Sequence, residues 1–201
     1  MKHSIRSREM LRERRPGSGT YELVLEDPVE LAHVHSGLRA EIDLIPTIAE
    51  WAGSGVIRLG WNQETALEFF GTYIIPGGGS SVFADVAVTM VESPLEYSRM
   101  LALPDRSISS SELRMMFLQG IDHPRFLQLL RATGAYQGPG KLHERQAMDA
   151  FHIWCAEHNA MTHFLTTDLK LTRIVKQYKT APVKVAVVTP AELVAEIRGG
   201  C

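Results

Sequence analysis

The chain has 201 residues, 45% of them hydrophobic, with 21 basic and 23 acidic side chains and a formal net charge of −2. That composition fills the core of one substantial domain, is short for two, and excludes a disordered chain. No apolar run approaches the roughly 18 residues that a membrane helix needs, and no apolar segment follows the basic N-terminus as in a secretory signal. Two cysteines, Cys155 and Cys201, make no disulfide framework, so a reducing, cytoplasmic setting without membrane attachment is expected.

Charge is unevenly spread. The first twenty residues hold Lys2, Arg6, Arg8, Arg12, Arg14 and Arg15 against Glu9 and Glu13, so the remainder is acidic. Residues 1–19 therefore read as a basic arm. It is either a phosphate-contacting segment or a solvated, mobile tail ending at Pro16-Gly17-Ser18-Gly19. Residues 20–201 read as a single domain.

Along the chain, residues 21–26 alternate as a first strand, and Asp27-Pro28-Val29-Glu30 has the pattern of a helix start. A helix is expected over 40–51, stopped by Gly53-Ser54-Gly55, then a strand at 56–59 and a helix at 62–70. Pro76-Gly77-Gly78-Gly79 is a loop without the Lys-Ser/Thr ending of a phosphate loop, and 82–90 fits strand or helix. Ser109 and Glu112 are spaced as a capping box for a helix through Leu118, and 124–132 forms another. The last third is expected as helix 142–158, strand 163–167, helix 169–177, strand 183–188 and a helix from Pro190. Strands separated by helices argue for α/β architecture: a mainly parallel sheet covered on both faces, three layers in all.

In such sheets functional groups collect beyond the carboxyl ends of the strands. The acids that reach this edge are Glu26 or Asp27 after the first strand, Glu68 on the helix after the second, Asp149 in the long helix, and Asp168 after the next strand. Each also has a plain reading. Asp27 and Asp168 stand where helix caps stand, and Glu68 and Asp149 can be solvated helix residues. Carboxylates gathered in one cleft repel each other unless they share a divalent cation, and hard oxygen donors favour Mg²⁺ or Mn²⁺. Such a centre activates water and clamps a phosphodiester.

Thr65, Glu68 and Phe69 in one helix, Asp149-Ala150, and Leu165-Thr166-Thr167-Asp168 at a strand end resemble the PIN-domain family. The resemblance is densest over 147–189 and fades between 70 and 140, which implies a helical insertion enlarging the middle of the domain at about 72–140. It implies a three-layer fold and a Mg²⁺ or Mn²⁺ ribonuclease. Asp27, Glu68, Asp149 and Asp168 would then be metal-binding catalytic residues, with RNA as substrate. Glu26 is the alternative first acid, and Thr166 would orient the last acid or a water. Neither Glu26 nor Asp27 is followed two places on by the Asn or Ser usual in the family. A catalytically inactive module binding RNA or a protein is the alternative implied. Some family members are toxins, so an antitoxin partner and a homodimer are further expectations.

Arg145, one turn before Asp149, is placed to pair with the Asp149 carboxylate or reach substrate. Arg58, Arg114, Arg125, Arg131, Lys170 and Arg173 are the other cations that can rim an RNA site. His152, Cys155, His158 and His163 invite a zinc reading. Helical spacing turns His158 about 120° from His152, however, so a core-facing Cys155 among surface histidines is expected instead.

Overall fold

The computed structural model describes residues 8–13, 21–26, 36–66, 83, 86–97 and 110–200, with backbone alone for 8–13, 21–26 and 110. In chain order its elements are β1 (Arg8–Glu13), β2 (Tyr21–Glu26), α1 (Ser36–Ile42), α2 (Ile45–Gly53), β3 (Leu59–Trp61) and β4 (Val88–Met90). They continue with α3 (Ser110–Gln119), α4 (Pro124–Ala132), α5 (Glu144–His158), β5 (His163–Leu165), α6 (Leu169–Gln177), β6 (Ala186–Val188) and α7 (Pro190–Gly199). Helices mixed with short parallel strands make this an α/β protein, as the alternating pattern indicated. Among the described residues no helix is long and apolar enough to cross a membrane. The chain divides into two compact units, Met1–Met90 with Pro190–Cys201, and Val91–Thr189.

In the first unit β2 has the expected bounds, but its partner is β1, running antiparallel with Arg8 opposite Glu26 and Arg12 opposite Glu22. Part of the basic arm is thus a strand: no period-two pattern marks Arg8–Glu13, and its backbone groups find their partners in β2. The single helix expected over 40–51 is two. Asp43 and Leu44 close α1 on the Arg39 and Glu41 carbonyls, and Pro46 at the start of α2 has no N–H to offer the Ile42 carbonyl, so the ladder is interrupted there. Val56 and Ile57, expected in a strand, instead donate their N–H groups to the Trp51 carbonyl at 2.9 and 3.3 Å. They close the end of α2 after Gly55, whose φ of +79° suits glycine. The strand that follows, β3, therefore begins at Leu59 and pairs parallel with β4.

Ile42, Ile45, Ile48 and Ala49 of α1 and α2 are buried, as are Leu193 and Val194 of α7. The Glu41 carboxylate accepts the Ala191 N–H at 2.8 Å, so a buried acid satisfies an orphan donor in the first turn of α7.

The second unit is built around α5. Ala147, Ala150, Phe151, Ile153 and Cys155 are fully buried, and Met148 and Trp154 nearly so. Phe151 meets Phe117 of α3 edge-on at 5.3 Å, while Trp154 stacks on Phe126 of α4 at 5.6 Å. Offset and edge-on rings of this kind add about 1 kcal/mol each to their burial. Gly134 (φ +74°) ends α4, and the β5–β6 parallel pair lies behind α5 with His163 opposite Ala186 and Leu165 opposite Val188.

One ion pair ties these layers. Arg125 of α4 grips Glu157 of α5 with two bonds, Nη2 to Oε1 at 2.6 Å and Nε to Oε2 at 2.7 Å. Arg125 Nη2 also donates to the Pro182 carbonyl, and Glu157 Oε1 accepts the Lys184 N–H at 2.8 Å. The pair thus holds the segment leading into β6. Glu157 is only 4% exposed, so removing either partner strands a buried charge. We expect Glu157→Ala to lower unfolding stability by about 3 kcal/mol in urea titration, far more than a surface ion-pair deletion would.

Candidate functional site

The ladder of β5 and β6 runs one bond past Leu165, from the Thr166 N–H to the Val188 carbonyl at 3.0 Å, before the chain turns into α6. Asp168 stands at that turn as the cap of α6. Its Oδ1 accepts the N–H groups of Lys170 and Leu171 at 2.9 and 3.0 Å. Thr166 Oγ1 accepts the N–H of Asp168 itself at 3.0 Å, so the hydroxyl two places earlier fixes the backbone that carries the acid. Capping leaves Oδ2, which faces Arg145 Nη2 of the first turn of α5 at 3.5 Å. Asp149, half-buried, is four residues beyond Arg145 and on the same face of that helix.

The structure therefore brings Thr166, Arg145 and Asp168 together, with Asp149 one helical turn from Arg145. The other sequence candidates are not described to the same degree. Asp27 and Glu68 lie outside the described residues, and of Glu26 the backbone alone is described, as the last residue of β2. Ser109, the expected cap of α3, also lies outside them.

Among the described residues no three His, Cys, Asp or Glu side chains gather into a metal-holding group. Asp149 and Asp168 nevertheless suit Mg²⁺ or Mn²⁺ in kind. Such ions take oxygen donors, commonly bind through one or two carboxylates, and keep several waters.

Sequence reasoning missed an acid and a polar cluster. Glu64, four residues before Glu68, is 1% exposed in the helical turn over 63–66, which Asn62 opens by accepting the Thr65 N–H at 2.9 Å. Recognising Asn62 as the cap sets Glu64 in the first turn, where an acid meets the positive helix end. On α3, Ser111 and Arg114 both donate to Glu144 in the first turn of α5, Arg114 Nη1 at 3.3 Å. The Arg114 Nε is buried without a hydrogen-bond partner.

His152 is not the surface residue expected but half-buried on α5. Burial pushes its imidazole down to about 4, and the Arg114 guanidinium adds to the effect. The signal was available, since Met148, Phe151, His152 and Cys155 recur at helical spacing on the core face. Cys155 is buried as expected, and His158 is exposed.

Of the cations expected to rim an RNA site, Arg125 is committed to Glu157, Arg114 to Glu144, and Arg131 lies over the Tyr136 ring at 5.5 Å. Arg58, Lys170 and Arg173 are exposed.

The His152 environment sets a pH dependence. Below the ordinary imidazole value of 6.5 the unfolded chain takes up a proton that the folded protein binds only near 4. Stability is therefore fully present at neutral pH and is lost as pH falls through that window. We expect a loss on the order of 2 kcal/mol in urea titrations between those limits, allowing for partial solvent access, and a flatter profile in His152→Gln.

Compared with protein-family profiles, curated proteins and solved structures, the chain matches none of them.

Proposed function

We propose that the protein is a metal-dependent ribonuclease of PIN-like type, with Asp149 and Asp168 among the ligands of a Mg²⁺ or Mn²⁺ ion. The observation that carries this reading is the fixed carboxylate at the carboxyl end of β5. Asp168 has one oxygen immobilised by two backbone N–H groups, its backbone pinned by Thr166, and its second oxygen directed at a cation. Asp149 stands one helical turn from the residue supplying that cation. Asp27 and Glu68 are the further ligands that the resemblance implies, within a three-layer α/β/α fold.

A hard divalent cation supplies such a site with an activated water and with neutralisation of phosphate charge. The protein's own part is positional. Capping fixes the Asp168 carboxylate, and the buried face of α5 fixes Asp149, so neither acid needs to reorganise when an anionic substrate approaches. Exposed Lys170 and Arg173 on α6 follow Asp168 directly and suit a phosphate backbone.

A second reading has one observation in its favour. The Arg145 guanidinium already balances Asp168, as it would in an inactive module that binds RNA or a protein partner without cleaving it. The two readings separate cleanly. For the nuclease, isothermal titration detects Mn²⁺ binding that vanishes in Asp149→Asn, and RNA cleavage falls by about a hundredfold or more with it. Cleavage persisting undiminished in Asp149→Asn removes the nuclease reading. Salt-sensitive RNA binding with no Mn²⁺ binding selects the inactive module.

A further inference from the structure

Two arginine–carboxylate pairs in the second unit are built in opposite ways. Arg125–Glu157 is bidentate at 2.6 and 2.7 Å, with side chains 16% and 4% exposed, and both partners hold backbone groups as well. Arg145–Asp168 is a single approach at 3.5 Å, beyond the range of a strong charge-assisted hydrogen bond, and the Arg145 side chain is 76% exposed. The first is a structural tie. The second holds little: an arginine so exposed loses almost nothing on swinging into water, and such pairs contribute at most about 1 kcal/mol.

The asymmetry within Asp168 matters as much. Its Oδ1 is spent on the cap of α6, and that bond pattern survives whatever happens at Oδ2. Oδ2 is the oxygen that capping leaves for a second cation, and Arg145 stands against it. A guanidinium and a divalent ion cannot occupy the same side of one carboxylate oxygen. Their charges also repel, with effective dielectric screening reducing but not abolishing the effect.

We infer that Arg145 is a displaceable counter-ion for Asp168, a positioning residue that competes directly with the divalent cation and so weakens its binding. This rests on the ribonuclease reading above and deepens it. Arg145 would yield Oδ2 to a bound ion and return to it once the site emptied, so Asp168 would keep its charge compensated in both states. The cap through Oδ1 explains why Asp168 does not move during the exchange.

The test is Mn²⁺ titration of the full chain by calorimetry, comparing the unaltered protein with Arg145→Ala and Arg145→Lys at low ionic strength. Urea unfolding runs in parallel to show that each variant is folded. Arg145→Ala is expected to bind Mn²⁺ about two- to fivefold more tightly, the ratio that corresponds to an exposed pair. Arg145→Lys keeps the charge and should stay near the starting affinity, and added salt should narrow the gap between the variants. A purely structural arginine would alter unfolding and leave Mn²⁺ affinity untouched. Mn²⁺ binding that is equal or weaker in folded Arg145→Ala overturns the competition while leaving the ribonuclease reading standing. Failure of both the unaltered protein and Arg145→Ala to bind Mn²⁺ overturns that reading and this inference together. Binding gained only in Arg145→Ala supports the competition in its strongest form.

Discussion

Helix α5 is confined on nearly every side, and the second unit is arranged around that confinement. Its apolar residues do not form a single stripe. Ala147, Met148, Ala150, Phe151, Ile153, Trp154, Cys155 and Ala156 are all buried, which leaves little surface for solvent except at its two ends. A helix buried this fully cannot slide or rotate without opening voids, because protein interiors pack as densely as crystals. Its polar ends are therefore held in place by the packing of its middle. At one end stand Glu144, Arg145 and Asp149; at the other, Glu157 closes onto Arg125 and the Lys184 backbone.

That division of labour explains how one short segment carries both stability and a chemically interesting edge. The Arg125–Glu157 end is dehydrated and satisfied at almost every polar atom, so its worth lies in how costly it is to leave half-made. The Arg145–Asp168 end is wet, long and single. Thr166 and the cap of α6 immobilise Asp168 independently of Arg145, and the acid can thus exchange its counter-ion without any change of backbone. Rigid acid and loose cation together are what a site needs if it is to admit a metal ion; two rigid partners would shut it. His152 and Arg114 belong to the same helix packing but face inward, where burial keeps the imidazole neutral.

Local chemistry was the most legible part of this chain. The bounds of β2, α4 and α6 follow from alternation, from Pro124 at a helix start, and from Asp168 ahead of an amphipathic run. The last two strands were over-extended: 163–167 became His163–Leu165 and 183–188 became Ala186–Val188. β-Branched residues continue past the point where a partner strand is present to take the hydrogen bonds. The break between α1 and α2 was readable in principle at Pro46, yet the apolar periodicity runs straight through it. The pairing of β1 with β2 was hidden for another reason. A mostly charged segment such as Arg8–Glu13, with no alternation to mark it, reads as a solvated arm until a neighbouring strand supplies its ladder.

By itself, the order of residues determined which groups are available and how they sit locally: an aspartate capping α6, a threonine two places before it, and an arginine one turn ahead of a second aspartate on α5. These depend on contacts within a few residues, where backbone geometry leaves few choices. Only the tertiary structure decided that Arg145 meets Asp168, that Arg125 is spent on Glu157 and so is lost to any RNA rim, and that Glu64 is taken out of water. Such pairings join positions tens of residues apart. They are selected by how whole helices pack, a collective outcome of volume and burial that no single stretch of sequence encodes.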